Sequence, residues 1–105
     1  MDTPINAKAA LLQALVRGHG YGLDLIERVK KQTKGAMKLG HASVYPALRS
    51  LERDGLIESY ESEPLPERGG RPRRYYKLTA LGRRAAVEDR QTAGALFGLL
   101  APGRA

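Results

Sequence analysis

The chain has 105 residues, with 18 Lys and Arg against 11 Asp and Glu for a formal net charge of +7, and it contains no cysteine. That length suits one domain with one modest core, and the absence of cysteine excludes a disulfide framework and any thiolate metal site. The apolar run Ala95 to Ala101 is broken by Gly98 and falls far short of the roughly 20 residues a membrane span needs. The first residues show no secretory signal, so a cytoplasmic protein is expected.

Thr3 and Pro4 predict a helix start, Thr3 as N-cap and Pro4 at the first helical position. Ile5, Ala9, Leu12 and Val16 follow as an apolar stripe at helical spacing, and Gly18 stops the helix. His19-Gly20-Tyr21-Gly22 is expected to be a tight turn with Tyr21 packed inward. A second helix is predicted from about Tyr21 to Thr33, with Gly22, Ile26, Val29 and Thr33 as its inner face and Leu25 beside it. Asp24 with Arg28 and Glu27 with Lys31 are i,i+4 pairs in the favourable order. Lys34-Gly35 ends this helix.

Leu39 to Thr79 is the most informative stretch. Val44, Leu48 and Leu51 fall on one helical face, with Arg49, Glu52 and Arg53 on the other, and Gly55 ends the helix. Its start has two readings: Ser43 as N-cap, with Pro46 in the first turn, or Gly40 as N-cap, with Pro46 deeper. A β-like run from Leu56 to Glu63, a Pro/Gly/Arg-rich tip from Pro64 to Arg73 and a second run from Arg74 to Leu78 complete the unit. Helix, strand, basic tip, strand is the order of a winged helix-turn-helix. Glu58, Glu61 and Glu63 are expected to face Arg74 or Lys77 across the strands. Thr79 then caps a last helix of about 22 residues, about 33 Å long, ended by Pro102-Gly103. The predicted fold class is α+β, mainly α: a winged helix-turn-helix with a two-stranded β wing and a long C-terminal helix. Residues 1–78 would form the DNA-binding region and 79–105 the dimerisation helix of one compact domain.

Charge supports nucleic acid as partner. Lys34, Lys38 and Arg49 give Lys34 to Arg49 a net +3, and Arg68, Arg71, Arg73, Arg74 and Lys77 against Glu67 give Pro64 to Lys77 a net +4. These two segments hold the whole excess, and a winged helix brings them together on duplex DNA.

The combination of Gly20-Tyr21-Gly22, Val44-Tyr45-Pro46-Ala47-Leu48, Leu51-Glu52, Asp54-Gly55-Leu56-Ile57, Arg74-Tyr75-Tyr76 and Leu78-Thr79-Ala80-Leu81-Gly82 resembles the PadR family of transcriptional regulators. The resemblance covers Ala9 to Arg84. It implies a repressor that binds double-stranded DNA as a homodimer through the C-terminal helix, in the small class with one long final helix and no added domain. One departure is Gly40-His41, where the family often carries a Ser-Pro pair.

The expected DNA-binding residues follow. His41 and Ser43, at the start of the recognition helix, would reach base edges. Tyr45 and Arg49 would touch phosphate, with core packing beside Leu48 as the other reading of Tyr45. Lys38 precedes that helix, and Arg68, Arg71, Arg73 and Arg74 on the wing would meet backbone or minor groove. Leu96, Phe97, Leu99 and Leu100, with Leu12 from the first helix, are the expected dimer contact, and Gly94 and Gly98 would let another helix come close. No cofactor or metal is expected. The chain has no tryptophan and one phenylalanine, so any small-molecule effector site is expected to be poor in aromatic stacking, or absent, with regulation by abundance instead. An enzyme is disfavoured by two histidines, no cysteine and no phosphate loop. The alternatives are a winged-helix protein-interaction module that does not bind DNA and an RNA binder.

Overall fold

The structure, a computed structural model, describes residues 6–63 and 72–100, leaving out the side chains at 93 and 96–100. Its elements are α1 (Ala7–Val16), β1 (Gly20–Tyr21), α2 (Gly22–Gln32), α3 (His41–Arg53), β2 (Ile57–Glu61), β3 (Arg74–Leu78) and α4 (Ala80–Leu100). The strands form one antiparallel sheet in the order β1-β3-β2.

Helix α1 is the centre of the core. It touches α2, α3, α4 and β3, so it buries Ala10, Leu11, Leu12, Ala14 and Leu15 on several faces at once. A helix surrounded in this way needs apolar residues all round, which is why the stripe expected at Ala9, Leu12 and Val16 is only part of its buried surface. Its N-cap is Asn6, whose side-chain oxygen accepts from the Ala9 amide at 2.9 Å. The expected cap at Thr3, and Ile5, lie outside the described residues.

The His-Gly-Tyr-Gly segment differs from its expected role as a turn. Gly20 and Tyr21 form β1, in register with Tyr76 and Tyr75. Because strand residues alternate in face and Tyr76 is buried, Tyr21 lies on the outer face of the sheet with Tyr75. The two glycines flanking Tyr21 permit close approach: a Cβ on Gly20 would meet Arg28 and Leu25, and one on Gly22 would meet the Tyr45 ring.

Leu25 and Val29 of α2 are buried. Among the described residues, neither Asp24 with Arg28 nor Glu27 with Lys31 closes into an ion pair. Arg28 instead reaches the end of α1. Its Nη1 donates to the carbonyls of Ala14 at 2.9 Å and Gly18 at 2.8 Å, and its Nη2 donates to that of His19 at 3.0 Å. Three carbonyls at and just past the end of α1 outweigh one carboxylate as acceptors for this guanidinium. Replacing Arg28 by Ala should therefore cost about 2 kcal/mol, the scale of losing charged hydrogen bonds at a partly buried site. A urea midpoint equal to that of the wild type would show that water replaces the clamp without loss.

In the link to α3, the Thr33 hydroxyl donates to the Val29 carbonyl at 2.9 Å and accepts from the Met37 amide at 3.0 Å. Helix α3 starts at His41 with Gly40 as N-cap, so Pro46 lies inside it. Val44, Leu48 and Leu51 are buried as expected, with Ala47. Gly55 (φ 78°) turns the chain into β2. The wing hairpin pairs Ile57 with Leu78, Glu58 with Lys77 and Glu61 with Arg74. Lys77 and Glu58 approach to 3.8 Å.

Thr79 caps α4 as predicted: its Oγ1 accepts from the Gly82 amide at 3.0 Å and donates to the Gly55 carbonyl at 2.7 Å. Ala86 of α4 is fully buried, and Gln13 of α1 donates to its carbonyl at 2.6 Å.

Candidate nucleic-acid interface

The recognition helix is fixed from behind. Val44, Leu48 and Leu51 are at most 1% exposed, so rotation about the axis of α3 would expose core. The opposite face is open. His41, Ala42 and Ser43 are exposed in the first turn, and Pro46, Arg49 and Arg53 continue that surface. The Gly40 cap makes no side-chain hydrogen bond, which leaves the entrance of the helix uncovered. Lys38, just before it, is exposed as well.

Tyr45 has a mixed position. It is half-buried and its ring covers Gly22 at the start of α2. It also lies 5.8 Å from the His41 ring, tilted by 33°. Packing between α2 and α3 is thus part of its role, as the second reading of its sequence position allows.

The wing base carries two further arginines. Arg73 and Arg74 are consecutive, so they lie on opposite faces of the sheet. Arg74 is exposed, on the face shared with Tyr76. Burial raises the pKa of the Tyr76 hydroxyl, opposed by the Arg74 charge next to it, so the hydroxyl stays protonated and neutral at physiological pH. Arg73 lies on the outer face, its guanidinium carbon 4.2 Å from the centroid of the Tyr21 ring. Arg68 and Arg71 lie outside the described residues.

Two residues on the open face of α3 stand outside the expected DNA-binding set. Ala42 and Arg53 share the outward side with Arg49, at i, i+11 and i+7. The signal was the complement of the Val44–Leu48–Leu51 stripe, and a small apolar residue such as Ala42 suits contact with a thymine methyl group.

The expected dimer contacts separate. Leu12 is 3% exposed within the core of its own chain, so it has no surface left for a second subunit, and that expectation is corrected. Leu96, Phe97, Leu99 and Leu100 fall in the last turns of α4, with side chains outside the described set. A cleft of 390 Å³ between α1, α2 and α4 is lined by Gln13, Val16, Arg17, Gln32 and Arg90 and carries no aromatic ring. Among the described residues, no group of three or more His, Cys, Asp or Glu could hold a metal ion, and no helix is long and apolar enough to cross a membrane.

The same architecture recurs in solved structures. A transcriptional regulator from Clostridium thermocellum is 20% identical with a TM-score of 0.77, over 94% of this chain and 90% of that one. A PadR family transcription regulator from Clostridium difficile is 23% identical with a TM-score of 0.76, over 90% of this chain and 93% of that one. Bacillus subtilis PadR, solved in complex with operator DNA, is 23% identical with a TM-score of 0.67, over 77% of this chain and 44% of that one. No curated protein matches the chain. Residues 11–88 match the model of the transcriptional regulator PadR-like family, a span that runs from the central helix through the recognition helix and wing into α4, and the chain belongs to that family.

Proposed function

We propose that this DNA-binding transcriptional regulator acts in the cytoplasm as a homodimeric repressor on a two-fold duplex site, without a cofactor and without catalysis. The observation that carries the reading is the first turn of α3, where His41 and Ser43 stand exposed on a helix locked by Val44 and Leu48. A rigid helix holds a side chain in the geometry that base readout demands. Arg49, Arg53 and Lys38 supply positive charge around it, and the wing arginines Arg68, Arg71, Arg73 and Arg74 add more. The Bacillus subtilis relative with its operator DNA supports the same use of the fold. A dimer through the end of α4 would present two recognition helices to two half-sites. The cleft beside Arg17 and Arg90 would offer an effector charge and hydrogen bonds and no aromatic surface for stacking.

The test separates affinity from specificity after duplexes have been selected from a random pool. Arg71→Ala with Arg73→Ala should weaken binding to selected and random duplex alike. It should also flatten the log–log salt dependence by about 0.9 per lost phosphate contact. His41→Ala or Ser43→Ala should weaken the selected duplex chiefly, by about 1–3 kcal/mol for a true base contact, with the salt slope nearly kept. If the wing variant lost specificity and kept its slope, the roles would be reversed. Equal affinity for duplex and single strand, or none for either, would favour an RNA binder or a protein-interaction module.

A further inference from the structure

Tyr21 carries no function in the reading above, yet several elements converge on it. Its ring packs edge-on against Tyr75 across the β1–β3 pair, with centroids 5.5 Å apart and planes at 63°. Tyr75 stacks on Tyr60 at 5.7 Å and 21°. Tyr60 in turn meets His19 at 5.6 Å, and the two share a 2.7 Å hydrogen bond between the phenol oxygen and Nδ1. This row spans all three strands and returns to the segment before β1, so Tyr75, against which the Tyr21 ring packs, is itself backed by Tyr60 and His19.

Arg73 lies on that ring, at 4.2 Å from its centroid. Its backbone is held as well: its amide donates to the Ser62 hydroxyl at 3.0 Å, and its carbonyl accepts from the Ser62 amide at 2.8 Å. The residue after Tyr21 is Gly22, on which Tyr45 of the recognition helix packs. Two consecutive residues thus carry a side chain of the wing base and one of α3. Arg73 makes no ion pair among the described residues. A guanidinium lying over an aromatic ring keeps its N–H edges available for phosphate.

We propose that Tyr21 is a positioning residue for DNA binding, its ring holding the Arg73 guanidinium at the base of the wing so that it meets a backbone phosphate already oriented. The inference rests on the DNA-binding reading and adds to it a residue that touches no DNA. An arginine free in solution loses rotamer freedom when it engages a phosphate, and one already stacked has less to lose.

A double-mutant cycle on a selected duplex tests it, with binding read by fluorescence anisotropy at several salt concentrations. Arg73→Gln should weaken binding and lower the salt slope by about 0.9. Tyr21→Leu should weaken binding by about two- to fivefold, the scale of an exposed cation–π contact. Tyr21→Phe, which keeps the ring, should bind as the wild type does. The double variant Tyr21→Leu with Arg73→Gln should be no weaker than Arg73→Gln alone. Tyr21→Met, of similar bulk and without a π face, runs alongside in case Tyr21→Leu folds poorly. Effects that multiply in the double variant, wild-type binding by both Tyr21→Leu and Tyr21→Met, or a Tyr21→Phe variant as weak as Tyr21→Leu would overturn the proposal. Failure of the wild type to bind any duplex would overturn the DNA-binding reading together with it, whereas an additive cycle on a binding-competent wild type removes only the role of Tyr21.

Discussion

Gly82→Ala should unfold at a markedly lower denaturant concentration than the wild type, with a loss of about 3 kcal/mol, the upper range for overpacking a filled site. Gly82 lies in the first turn of α4, and a Cβ there would collide with the Leu56 carbonyl oxygen and press on the Leu78 side chain. That carbonyl cannot easily retreat. It accepts from the Thr79 amide at 3.1 Å, while the Leu56 amide donates to the Leu51 carbonyl at 3.0 Å. The same junction holds the Thr79 hydroxyl on the Gly55 carbonyl. Alanine favours a helix over glycine by about 1 kcal/mol, and the predicted loss is what stays after that gain. The consequence reaches function, because the junction joins the end of the recognition helix to the start of α4. A urea denaturation curve within 0.5 kcal/mol of the wild type, roughly the range of a neutral surface change, would mean that α4 can step away from Leu56.

The parts of the fold readable from the sequence are those whose pattern is local. Val44, Leu48 and Leu51 repeat at helical spacing and turn out to be one buried face. The β-like run Arg74 to Leu78, set off by the Pro/Gly-rich tip and Thr79, is β3. Thr79 precedes an unbroken helical stretch and caps it. What escaped depends on partners distant in the chain. Strand β1 is only two residues long and exists because Tyr75 and Tyr76 pair with it, and no local signal distinguishes it from a turn. Arg28 has a carboxylate four residues before it, but the carbonyls at the end of α1 capture it. Leu12 looked available on an apolar stripe until α1 proved to be enclosed. In the candidate site, the buried face of α3, and with it the open face, was legible from periodicity alone. The choice between Gly40 and Ser43 as its cap was not, since tertiary packing of the helix decides how far into it Pro46 can fall. The stacking of Arg73 on Tyr21 joins residues 52 positions apart and could not be read from composition or spacing.

Cutting the chain after Arg90 should produce a folded monomer that binds a two-fold duplex about 10²–10⁴ times more weakly than the full chain, the usual gain from linking two binding events. The cut spares the core of the single chain. Ala86 is the last buried residue of α4 among those described, and Arg90 itself still donates to the Gln13 side chain at 3.3 Å. Beyond it, α4 runs to Leu100 through Leu96, Phe97, Leu99 and Leu100, four large apolar residues within five positions. Val87 of the same helix is 46% exposed in the single chain. Such a helix end is a natural site for a symmetric contact, in which the same surface serves both subunits. Gly94 sharpens the test. A Cβ there meets nothing within 4 Å in one chain, so Gly94→Ala should leave the folded subunit intact, and a weaker dimer would report close approach by a partner helix. Light scattering distinguishes the outcomes directly. A truncated chain that stays dimeric at the concentrations of the binding assay would move the interface elsewhere, and a monomer with full affinity would show that one recognition helix and its wing suffice on a single half-site.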